Sequence, residues 1–84
     1  EKILMAELAE TQRNLEAKLA TPGLTETAYI YLSDAYQRLQ TAAQRWAEHQ
    51  AAQLEEGTRE LFAEIQREIK HAMEALRMLE LHTA

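Results

Sequence analysis

At 84 residues the chain has room for one hydrophobic core, near the size at which a fold often needs a disulfide, a metal or a second copy to hold it. It has no cysteine, which excludes disulfides and thiolate chemistry and fits a reducing compartment, so a cytoplasmic location is expected. Nine Lys and Arg against fourteen Asp and Glu give a net charge of −5, a field that repels a phosphate backbone, and no apolar run approaches the roughly 18 residues of a membrane span, so neither nucleic acid nor a membrane is an expected partner.

The chain opens at Glu1 already inside a helical pattern, as a segment processed or cut from a longer protein would. Leu4, Leu8, Leu15 and Leu19 share one narrow stripe, with Thr11 completing the heptad spacing and Met5 at its edge, which predicts a helix over about residues 1–20. Its outward residues, Glu7, Glu10, Arg13, Asn14, Glu16 and Ala17, offer local pairs such as Glu10 with Arg13, each worth about 0.2–0.5 kcal/mol. They favour solubility rather than recognition. Thr21-Pro22-Gly23 then ends the helix: Pro22 disfavours helical geometry at Thr21, and Gly23 can take the left-handed conformation that reverses the chain. Thr25 reads as the N-cap of a second helix, its hydroxyl placed to accept from an amide near Thr27 or Ala28, with Glu26 favourable in the first turn and Leu24 stapling the entry.

From Leu24 to Leu54 runs the densest apolar pattern, which holds Trp46 and all three tyrosines. Ala28, Leu32, Ala35, Leu39, Ala42 and Trp46 recur at steps of four and three, so they stack on one helical face. Tyr29, Tyr36, Ala43 and Ala47 flank this seam and broaden the face enough for two neighbouring helices. Asp34, Gln37, Arg38, Thr41, Gln44, Arg45 and Glu48 make the solvent side. The next boundary falls in the Glu-Glu-Gly-Thr run around Gly57, a residue that costs about 1 kcal/mol against alanine inside a helix. A seam resumes beyond it at Phe62, Ile65, Ile69, Ala72, Leu76 and Leu79, out of register with the heptad that ends at Trp46. Against a break, a stripe at 3.6 residues per turn would run without interruption through Leu39, Ala43, Ala47, Gln50, Leu54, Thr58, Leu61, Ile65 and Ile69.

Two architectures therefore follow. The favoured one is an all-α antiparallel three-helix bundle, a single domain with helices over about 1–20, 25–54 and 58–82 and a length of about 45 Å. Its rival is a short helix followed by one continuous helix, about 90 Å long, whose uncovered stripe would have to be buried in a coiled-coil-like oligomer.

No constellation carries chemistry. Glu68 and His71 match the Glu-x-x-His spacing of di-iron bundles, but the second such pair is missing, and His71 is expected to point outward into water. His49, one turn beyond Trp46, is expected to be a partly covered, hydrogen-bonded imidazole. The single serine, Ser33, has no base on its helical face, and Gly23 and Gly57 alone cannot build a phosphate loop. Arg67, Lys70 and Arg77 share the outer face of the last helix with Glu60, Glu64, Glu68 and Glu74, where pairs such as Glu64 with Arg67 and Lys70 with Glu74 are expected. Trp46 and the tyrosines, at helical spacing, are expected in the core or an interface rather than in a ligand cage.

The residues that break the pattern are more telling. Ile30 projects opposite the seam, Tyr31 flanks it, and Met78 and Leu81 leave the last helix on its polar sides. In the bundle all four meet at one pole, rimmed by Asp34, Arg77 and Glu80, with the composition of a contact surface. The sequence thus points to a non-enzymatic helical module, adaptor- or chaperone-like, that binds a protein partner or self-associates, as a homo-oligomer, through an apolar helix face, without cofactor or metal. The second reading is a small acidic inhibitor that occupies a basic site on a nucleic-acid-handling target.

Overall fold

The computed structural model describes the backbone of residues 2–53 and 55–83, and their side chains up to Leu79. Three helices, α1 (Lys2–Leu19), α2 (Glu26–Ala51) and α3 (Thr58–Thr83), pack on one another as an antiparallel bundle. Its extents are 44 × 18 × 17 Å. The long axis is little more than one of the longer helices, about 39 Å at about 1.5 Å per residue. The continuous-helix architecture is thereby excluded.

The turns form where the residues dictate. At the end of α1 the Thr21 hydroxyl donates to the Ala17 carbonyl at 3.1 Å, and Gly23 takes φ +88°. Thr25 caps α2, its hydroxyl accepting the Ala28 amide at 3.1 Å. Helix α2 stops at Ala51, three residues short of the expected end, where the Ala52 amide still reaches the Glu48 carbonyl at 3.0 Å. The chain then turns through two left-handed positions, Gln53 (φ 55°) and Gly57 (φ 84°), so a glycine disfavoured inside a helix serves in a turn. Leu54, the expected last residue of that helix, lies outside the described residues.

The core is a column of small and large apolar side chains, with Leu15, Leu32, Leu39 and Ile65 fully buried. Helix α1 contributes Leu4, Leu8, Thr11 and Leu15, the buried Thr11 hydroxyl being satisfied by donating to the Glu7 carbonyl at 2.7 Å. Helix α2 contributes Leu32, Ala35, Leu39, Ala42 and Trp46, with Tyr36 and Ala43 packed at its flanks. Tyr29 and Ala47, expected beside them, are exposed, and Ala28, expected on the seam itself, is only half-buried. On α3 the buried line is Leu61, Ile65, Ile69, Ala72 and Ala75. Leu61 replaces the expected Phe62, which is only partly buried and lies edge-on to Trp46 at 6.3 Å between centroids. Leu76 and Leu79 pack against the core without being sealed in it, so α3 presents a straight helix's 3.6-residue stripe rather than a strict heptad. No helix among the described residues is long and apolar enough to cross a membrane.

Candidate protein-docking groove

Polar side chains fix the register between α2 and α3. Going up α2, Arg38, Arg45 and His49 meet Glu68, Glu64 and Thr58, which run down α3, as antiparallel helices require. Arg38 holds Glu68 with Nε 2.9 Å from Oε1 and Nη2 donating to Oε2 at 3.2 Å. The Glu68 Oε1 is buried and lies off the N–H direction, so that contact is electrostatic rather than a hydrogen bond. At the far pole, His49 stacks on Trp46 and its Nε2 lies 2.6 Å from the Thr58 hydroxyl, the covered imidazole anticipated there. The carboxylates of Glu64 and Glu68 thus reach across to α2 arginines, where intrahelical pairing of Glu64 with Arg67 was expected.

His71 also departs from expectation. Instead of standing in water it is half-buried at the α2–α3 seam, with Nε2 3.3 Å from Arg38 Nη1 and its ring edge-on to Tyr31 at 6.0 Å. Because a guanidinium can only donate, Nε2 is the accepting atom of that contact. Arg38 and Tyr31, both rooted on α2, lean over α3 and cover the imidazole.

Beyond this network, towards the pole where α2 starts and α3 ends, the seam opens into an apolar groove of about 700 Å³. One wall is a second stripe on α2, Thr27, Ile30, Tyr31 and Asp34, at steps of three, one and three; Met78 and Leu79 of α3 form the other. Ile30 is 60% exposed, Tyr31 42% and Met78 51%, so much of their apolar surface faces water. Three of the four sequence-predicted contact residues therefore come together. Leu81 belongs to α3, but its side chain lies outside the described residues. Of the expected rim, Asp34 lines the groove, Arg77 faces a separate cleft with Glu7 and Met73, and Glu80 also lies outside the described side chains. Thr25, Thr27, Ala28 and Leu79 line the groove too and escaped the sequence reading as contact residues: Thr27 could have been found three positions before Ile30, Thr25 was read as the cap alone, and Ala28 and Leu79 were assigned wholly to the core seam although each shows a flank to the groove.

Elsewhere on the surface, the Tyr36 hydroxyl donates to Glu16 of α1 at 2.6 Å. That hydrogen bond to a carboxylate, with desolvation and the Glu16 charge adding to it and a Gln40 hydrogen bond opposing, holds the tyrosine pKa above its ordinary 10.0. Ile3 and Met73 are exposed singly, as scattered apolar side chains commonly are. Among the described residues no group of three His, Asp or Glu side chains is placed to hold a metal ion. No family model, curated protein or solved structure matches the chain.

Proposed function

We propose that this protein is a non-enzymatic helical interaction module, adaptor-like, that binds another protein or a copy of itself through the groove between the start of α2 and the end of α3. The observation that carries the reading is the gathering of Ile30, Tyr31 and Met78, each about half exposed, around one open apolar cleft. A rigid aromatic, a branched aliphatic and an adaptable methionine are side chains that contact surfaces favour, and none of the three is needed to close the core.

The acidic-inhibitor reading has less support, because Glu64 and Glu68, two of the carboxylates that would have to engage a basic target, are already engaged by Arg45 and Arg38. Ionic strength separates the two: association through the groove should change little between low and high salt, whereas an acidic inhibitor should weaken steeply.

The direct test is a pair of charge insertions, Ile30→Glu and Met78→Glu, followed by circular dichroism melting and by sedimentation or partner capture. The expected result is an unchanged melt with association lost. Association that survives both substitutions would remove the groove from the function. A collapsed melt would assign the residues to the core.

A further inference from the structure

Building on that reading, we infer that the groove's occupant is a short amphipathic helix of a partner protein that places a Lys or Arg against Asp34. Three observations converge. First, both walls are helices, the groove lies between them, and no described residue of α1 lines it, so a helix laid there would complete a four-helix arrangement. Second, the length is bounded. The α2 wall runs from the Thr25 cap to Asp34, about two and a half turns with its apolar side chains from Ala28 to Tyr31, and then gives way to the Arg38–Glu68 bridge, which joins the two walls. Apolar contact is therefore available to about two turns of an incoming helix.

Third, the charge is of one sign. Among the described residues that line the groove, Asp34 is the only charged one. Its nearest cation, Arg38, stands at 4.0 Å and directs its closer contacts to Glu68 and His71. The Asp34–Arg38–Glu68 cluster carries two carboxylates against one guanidinium, an excess of negative charge at the end of an apolar cleft. A second copy of this chain would bring a like cluster and a further net charge of −5 to the same place, which disfavours self-pairing through this pole. A cation supplied by a partner helix complements it, in the helix-in-groove mode.

The test uses two fluorescent helical peptides of about fourteen residues with the same leucine face, differing only in Lys or Glu at the position that meets Asp34. Binding to the full chain is followed by anisotropy. The Lys peptide should bind about fivefold more tightly than its Glu twin at low salt, the ratio of a partly exposed ion pair gained against a repulsion suffered. Asp34→Asn should bring the ratio close to one without abolishing binding, and Met78→Glu should abolish both. Equal binding of the two peptides to the wild-type chain would overturn the charge selection while leaving apolar docking intact. Binding of neither would overturn the partner-helix assignment alone; the groove itself would fall only if association survived both Ile30→Glu and Met78→Glu, and a wild-type dimer dispersed by Met78→Glu would give the groove to a second copy instead.

Discussion

Leu39 and Ile65 have no solvent-exposed surface and come from facing sides of the α2–α3 seam, so each fills space that nothing else can reach. Truncating either to alanine should cost about 2–5 kcal/mol in urea unfolding, a large share of the stability of a fold this small, whereas Arg67→Ala on the outer face should stay within about 0.5 kcal/mol. Tyr36 gives the residue scale a pH signature. Because the Glu16 carboxylate favours the protonated phenol, the folded pKa lies above the unfolded one, and the contribution is complete below the unfolded pKa and lost as pH rises through the folded value. The melting temperature should therefore fall as pH is raised past about 10, more steeply than in Tyr36→Phe, which cannot ionise there. Single side chains were the least legible part of the sequence. Spacing within a helix suggested Glu64 with Arg67, yet the real partners of Glu64 and Glu68 are Arg45 and Arg38, and no count along one helix reveals a partner on another. The covering of His71 by Tyr31 was hidden for the same reason.

Elements were far more legible, because their causes are local. Thr21-Pro22-Gly23 and the Thr25 cap act within a few residues, and the structure places the turn and the cap there. Gly57 was ambiguous because its penalty inside a helix is small enough for packing to override; the positive φ resolves it. That conformation makes two opposite predictions for one connection. Gly57→Ala should destabilise by about 1 kcal/mol although the new methyl meets only Glu60 Oε2, at 3.9 Å, since the cost lies in the backbone rather than in a clash. Gln53→Gly, which relieves a side-chain-bearing residue at φ 55°, should stabilise by a few tenths to about 1 kcal/mol. Chemical denaturation of both variants checks the pair. Parallel shifts in the same direction would mean that the left-handed geometry is not what sets their stability. The seam of α3 was right at its centre, Ile65, Ile69 and Ala72, and off by one position towards its ends, where a heptad was imposed on a helix that follows its own 3.6-residue period, so that Leu61 and Ala75 lie inside and Phe62 and Leu76 at the edge.

At the scale of the whole molecule, the bundle was legible from three amphipathic stripes and two turns, and the groove only from side chains that refused the stripes. Ile30 and Met78 were conspicuous because burial could not explain them, whereas the Asp34 charge at the groove's end acquires meaning only once α3 lies alongside. The polar cross-links of the fold are unevenly shared. Helices α2 and α3 have the most extensive interface and are tied by Arg38–Glu68, Arg45–Glu64 and His49–Thr58, while α1, the shortest helix, meets α2 through the Tyr36–Glu16 hydrogen bond and an apolar stripe. The molecule should therefore open in stages. In native-state hydrogen exchange, amides of α1 should be released at a lower free energy than those around Leu39 and Ile65, with the α2–α3 hairpin as the last unit to give way; uniform protection of all three helices would mean that the bundle opens only as a whole.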